Sequence, residues 1–328
     1  MTRRLATLTG CAAGLAAVAG AAGLSAQIFR VGTDVVSLSI TVTEGETLIP
    51  GLEQARFAVY EDGVQQEIAY FSRTPQPIAL SLLVDTSTSM EHKLVVAQEA
   101  AIGFARRLNP TDAAQIIDFD SRHEILQTFT ADRALLERAI RRTQVGGSTS
   151  LYNAIYVALS ELKRMRAATP DQLRRQAIVV LSDGEDTSSL IAYEDVLESA
   201  KRSETAVYSI GLRSKQDRPT RGFNEAEFVL RSLSQETGGR VFFVEDVAQL
   251  PGIYQQIADE LANQYSIGYS SKNLKRDGAW RAIVVKVDRP NTNARTKRGY
   301  FAPTAPRAPQ STRRPTPRSS TSCAYRTS

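Results

Sequence analysis

The chain has 328 residues, 42% of them apolar and 23% charged, enough to bury a core in one or two domains. Its net charge of +5 sits in the last stretch, where Arg307, Arg313, Arg314, Arg318 and Arg326 lie among no acids. The basic balance therefore describes a tail, not a nucleic-acid-binding face, and the two cysteines, Cys11 and Cys323, lie too far towards the ends to staple the folded part.

The start reads as an export leader over residues 1–26. Arg3 and Arg4 precede an uncharged run from Leu5 to Gln27, and Leu24-Ser25-Ala26 offers a small-residue cleavage site. The rival reading is a retained anchor. The run is long enough to span a bilayer, but its Ala and Gly content makes insertion weak. Leu8-Thr9-Gly10-Cys11 has the form of a lipoprotein box, with too few apolar residues ahead of it. No stable membrane span is expected once the leader is removed.

Residues 27–77 form a β segment. In "VVSLSITVT", Val36, Leu38, Ile40 and Val42 alternate with Ser37, Ser39, Thr41 and Thr43, the pattern of a half-buried strand. "FAVYEDGVQQEIAYF" reads as a hairpin turning at Asp62-Gly63. Residues 78–263 then alternate strands and helices. "IALSLLV" is a strand buried on both faces. After it come a helix over Leu94–Leu108, strands "AAQIIDF" and "HEILQTF", and helices over Ala134–Arg142 and Leu151–Met165. Strand "QAIVVLS", helix Tyr193–Ser203, strand "AVYSIGL", helix Glu225–Thr237, strand "RVFFV" and helix Val247–Ala262 complete the series. Repeated units of this kind predict an α/β fold, a doubly wound and mostly parallel sheet with helices on both faces.

Residues 264–301 return to β structure. Tyr265, Ile267 and Tyr269 alternate, "WRAIVVKV" is a strand, and "ARTKRGYF" is expected to pair back across "DRPNTN". Neither β flank has enough strands to shield a core. The expectation is one small β-sandwich made by both flanks, with the α/β domain inserted between them and Trp280 in its core. Residues 302–328 carry Pro, Arg, Ser and Thr without apolar periodicity and read as a disordered tail.

Three strand ends in the α/β region carry oxygen donors. "LLVDTSTSMEHK" puts Asp85 at the end of the first apolar strand and Ser87 and Ser89 in the loop that follows. "GGSTSLYNA" puts Thr149 after a glycine-rich turn, and "VVLSDGED" puts Asp183 and Gly184 at another strand end. Ligands of open α/β sheets bind at the carboxyl ends of strands near the switch in strand order. Carboxylate and hydroxyl oxygens suit a hard cation of the Mg²⁺ type.

Asp85-Thr86-Ser87-Thr88-Ser89-Met90 resembles the D-x-S-x-S motif of von Willebrand factor A domains. Thr149 resembles their second-loop threonine, and Ser182-Asp183-Gly184 their third-loop aspartate. The resemblance runs over Ile78–Asn263, and the flanks are similar to exported bacterial proteins called VWFA-related. It implies a metal ion-dependent adhesion site. Ser87 and Ser89 would hold the ion directly, Thr149 directly or through water, and Asp85 and Asp183 mainly through water. Mg²⁺ is the implied ion, with Mn²⁺ and Ca²⁺ left open. Thr88 stands where glycine is common, and Ser148 is an alternative to Thr149.

Blander readings exist for each feature. A strand-end Asp followed by hydroxyls is often a helix N-cap. Glu185 and Asp186 read as caps of the next helix or as solvated acids, and Asp118 and Asp120 as structural hydrogen-bonding groups. His92 and His123, the only histidines, fit a helix start and a strand edge, and two cannot make a His-rich zinc site. An acid two residues after Asp85, as haloacid dehalogenase-type phosphotransferases require, is absent: that position is Ser87. No triad setting for a histidine and no phosphate-binding glycine loop with lysine is present. The function expected is an exported, non-enzymatic module that binds a protein partner presenting Asp or Glu. The alternative is an envelope assembly scaffold whose β module makes the main contacts. Oligomeric state is not legible.

Overall fold

The computed structural model describes residues 35–168, 174–183, 186–213 and 221–304. The expected leader, both cysteines and all but the start of the tail lie outside them.

The chain begins with β1 (Val35–Glu44), β2 (Thr47–Leu48), β3 (Phe57–Glu61), β4 (Val64–Gln66) and β5 (Ile68–Ser72). The α/β part follows as β6 (Ile78–Asp85), α1 (Leu94–Ala105), β7 (Ala113–Phe119), β8 (His123–Thr130), α2 (Arg133–Arg141) and α3 (Leu151–Ala168). It continues with β9 (Arg175–Ser182), α4 (Tyr193–Ser203), β10 (Ala206–Leu212), α5 (Arg221–Thr237), β11 (Val241–Val244) and α6 (Leu250–Ala262). The chain returns to β structure in β12 (Tyr265–Ser270), β13 (Trp280–Val287), β14 (Thr292–Arg295) and β15 (Gly299–Phe301).

The central sheet runs β11-β10-β9-β6-β7-β8. Every pairing in it is parallel except that of β7 with β8. Strand β6 is buried throughout, and its alternate residues serve two cores. Leu80, Leu82 and Val84 pack with α1, α2 and α6, and Ala79 and Leu83 with α3, α4 and α5. Period-2 alternation on a strand covered on both faces requires this division. Strand order reverses beside β6, whose neighbours are β7 and β9. The carboxyl ends of β6 and β9 therefore flank the switch point.

The two β flanks form a pair of antiparallel sheets, β14-β1-β12-β5 and β15-β13-β3-β4. Val36, Leu38, Ile40, Phe57, Tyr265 and Tyr269 fill the space between them. Strand β1 pairs along its first half with β12 and along its second half with β14. The N-terminal strand thus owes its hydrogen bonds chiefly to C-terminal partners. Deleting residues 265–301 should make residues 35–72 susceptible to limited proteolysis. Unchanged protection of that segment would show that the flanks fold independently.

Three local expectations are corrected. The Asp62-Gly63 turn joins only β3 to β4, with both residues at positive φ, 47° and 83°, as this kind of hairpin turn demands. Residues Ile68–Ser72 cross to the other sheet and pair with β12. In "ARTKRGYF", Thr292–Arg295 pairs with β1, and only Gly299–Phe301 returns to β13. Trp280 is not a sandwich core residue. Along β13, Arg281 and Ile283 are buried while Ala282 and Val284 are exposed, so the two-residue period turns Trp280 to the outer face. There it is half-buried, edge-on to Phe301 at 5.0 Å and beneath the Lys201 ammonium at 4.0 Å.

Candidate metal centre

Asp85 closes β6 and is fully buried. Its carboxylate accepts the Ser87 backbone N–H at 2.9 Å and the Ser182 hydroxyl at 2.5 Å. Burial pushes its pKa up to about 6, against the lowering effect of those hydrogen bonds. A carboxylate held this way favours a nearby positive charge.

Ser87 is buried and Ser89 exposed. Their hydroxyl oxygens lie 3.0 Å apart, and Ser89 donates to Asp183 at 2.6 Å. The other Asp183 oxygen takes the Lys93 ammonium. Four of the five expected donors thus lie on one hydrogen-bonded path at the carboxyl ends of β6 and β9. Thr149 joins them through its loop. Gly147 carbonyl accepts the Thr88 N–H at 3.1 Å and the Thr88 hydroxyl at 2.9 Å, and Gly146 N–H donates to Thr86 carbonyl at 2.8 Å. Both backbone groups of Thr149 are held by Thr187, at 3.0 and 2.8 Å, so its hydroxyl is not needed to fix the loop. Thr149 is buried and Ser148 exposed. Thr88, far from merely stiffening the first loop, ties it to the second.

Among the described residues no three His, Cys, Asp or Glu side chains gather as a metal cluster. The donor set here is of a different kind: two carboxylates and three hydroxyls from three loops. It fits a hard divalent ion by donor chemistry, with Asp85 buried and without a cationic partner among the described residues, while a lysine sits on Asp183.

Residues 80–185 match the family model described as the von Willebrand factor type A domain, a span that includes all five donors. The chain carries a von Willebrand factor type A domain. A protein of Borreliella burgdorferi is 25% identical over 223 residues, covering 63% of this chain and 61% of its own length. One from Synechocystis, sll0103, is 24% identical, covering 64% of this chain and 47% of its own. The match thus spans about half to three fifths of these relatives. The solved von Willebrand factor type A structure from Catenulispora acidiphila is 16% identical with a TM-score of 0.50, covering 84% of this chain and 64% of that one, a likeness of fold. Proximal thread matrix protein 1 from the mussel byssus, with a zinc-occupied MIDAS motif, is 13% identical with a TM-score of 0.46, covering 61% of this chain and 49% of that one.

Other acids near the site of this von Willebrand factor A domain have separate tasks. Asp186 caps a helix, but it is α3 and not the next one: its carboxylate accepts the Tyr152 N–H at 2.8 Å and two bonds from Ser189. Asp120 accepts the Arg122 N–H at 2.8 Å, the local structural bond expected of it. Burial, with Glu124 and Asp120 nearby, raises the Asp118 carboxyl to about 6. His92 and His123 are exposed. Gly184 and Glu185 lie outside the described residues. The residue that sequence reasoning missed is Lys93. Its place at the N-cap of α1 gave a signal, because a basic residue at a helix start opposes the helix dipole and calls for a compensating partner.

Proposed function

We propose that this chain is an exported binding protein whose three hydroxyl-rich loops hold Mg²⁺ and catch an acidic side chain of a protein partner. The path Ser87–Ser89–Asp183, beside buried Asp85 at the switch point, supports this reading most directly. Bound there, the ion would supply an open, positively charged coordination position. With two carboxylates in its donor set it stays short of negative charge, so a partner Asp or Glu completes it better than a neutral group. Asp85, Ser87, Ser89, Thr149 and Asp183 are the residues that would hold it. Catalysis is not proposed: the position two after Asp85 is a serine, and the two exposed histidines form no base for it. The test is a pull-down from native envelope and culture medium in Mg²⁺ or chelator. Capture lost in chelator supports the reading. Capture that survives chelator favours the scaffold alternative.

Lys93 adds a prediction. Its ammonium holds the same carboxylate the ion would need, with Asp183 almost wholly buried and Lys93 about a quarter exposed. Lys93→Met should tighten Mn²⁺ binding about tenfold, equivalent to about 1.4 kcal/mol. Titration calorimetry on both proteins measures it, and equal affinity would show that Lys93 does not compete.

A further inference from the structure

At the opposite end of the central sheet, where β9 and β10 begin, lies a polar cavity of about 100 Å³. Its wall comes from both modules. Ser37 and Ser39 belong to β1, Arg175 opens β9, and Thr296 and Lys297 follow β14. Among its described lining residues are four basic side chains, Arg166, Arg174, Arg175 and Lys297, and a single carboxylate, Glu204.

That carboxylate is already shared. Glu204 pairs with Arg166 at 2.7 Å and with Lys297 at 3.4 Å. Among the described residues no carboxylate lies in ion-pair reach of Arg175, and the acid whose charge acts on it, Asp112, sits beyond that reach. Its terminal nitrogens donate to neutral oxygens only: Gln264 Oε1 at 2.7 Å, Gln76 carbonyl at 3.0 Å and Leu261 carbonyl at 2.8 Å. Its Nε–H is buried and has no partner, and neither has the buried Thr296 hydroxyl. Burial bears on the charges themselves, lowering the pKa of both Arg175 and Lys297.

Buried charges are ordinarily paired, and buried donors ordinarily bonded. Here a guanidinium with no direct ion pair among the described residues and two unpartnered polar groups border one cavity. A water could occupy it, but water supplies no negative charge. We propose that this cavity binds a small oxyanion of the phosphate or sulfate class. With Arg166 and Lys297 sharing the one carboxylate of Glu204 and Arg175 adding a further charge, the lining suits a multiply charged ion, and an anion with more than two oxygens can serve donors contributed by different elements. The cavity wall is fixed by Gly238, at φ +83°, where a Cβ would stand 2.5 Å from the Lys297 backbone nitrogen. Only glycine lets the Thr296–Lys297 segment after β14 lie this close to the end of α5. Because both modules line the cavity, the anion would also brace the sandwich against the von Willebrand factor A domain.

The experiment is titration calorimetry of the full chain with inorganic phosphate and with sulfate, in buffer free of divalent ions and at constant ionic strength set by chloride. It is independent of whether the hydroxyl-rich loops hold a metal. The expected result is one saturable site, weakened at least tenfold in Arg175→Met and several-fold in Thr296→Val and Lys297→Gln. Circular dichroism confirms folding, and if Arg175→Met does not fold, the other two variants decide. Heats no different from those of chloride would overturn the proposal. So would unchanged affinity in the folded variants.

Discussion

Replacing Arg281 with methionine should lower the stability of the protein by about 3–5 kcal/mol, the usual cost of removing one member of a buried ion pair. Arg281 and Glu61 meet at 3.3 Å with 3% and 2% of their side chains exposed. Glu61 also accepts the Tyr269 and Tyr300 hydroxyls at 2.9 and 3.0 Å and the Ser271 hydroxyl at 2.6 Å. Arg281 donates to the Asn273 carbonyl at 2.6 Å. Loss of Arg281 leaves the buried Glu61 carboxylate with its hydroxyl donors but without a counter-charge. The double variant Arg281→Met, Glu61→Gln should recover much of the loss, because it removes both charges and keeps an acceptor for the tyrosine hydroxyls. Denaturant unfolding of the single and double variants measures this. A single variant within about 1 kcal/mol of wild type would mean that water reaches the cluster and screens it.

Asp85→Asn should abolish divalent-ion binding and at the same time stabilise the metal-free protein near pH 8. The first effect follows from losing one of only two carboxylates in the donor set. The second follows from burial. The Asp85 carboxyl is raised from 3.8 to about 6 in the folded state, so the folded protein holds this proton more tightly than the unfolded chain does. Its contribution to stability is present below about pH 4, declines as pH rises through 6, and is absent above. The gap corresponds to about 3 kcal/mol. Asparagine is neutral throughout and keeps an acceptor oxygen for the Ser87 N–H. Metal-free Asp85→Asn should therefore be more stable than wild type at pH 8 and lose that advantage at pH 4. Unfolding curves at the two pH values, with Mn²⁺ calorimetry beside them, carry the test. The same difference at both pH values would refute the linkage, and retained Mn²⁺ binding would refute the metal assignment of Asp85.

The sequence by itself determined the α/β repeat, the strand ends and which oxygen-bearing residues stand at them. The reason is local. An apolar run long enough for a doubly covered strand, stopped by a carboxylate, marks its own carboxyl end, and Asp85 and Asp183 announced themselves this way. The alternation Val36-Leu38-Ile40-Val42 likewise fixed which face of β1 enters the sandwich. What only the tertiary structure decided involves residues far apart in the chain. Lys93 meets Asp183 across 90 positions, Arg281 meets Glu61 across 220, and Asp186 caps a helix that begins 35 residues before it. Composition marks none of these pairs, because a charged side chain reads the same whether it meets water or a distant partner. Trp280 shows the converse. Its size predicted burial in the sandwich, but the register of β13 gave the inner face to Arg281, and a two-residue period cannot send neighbours the same way.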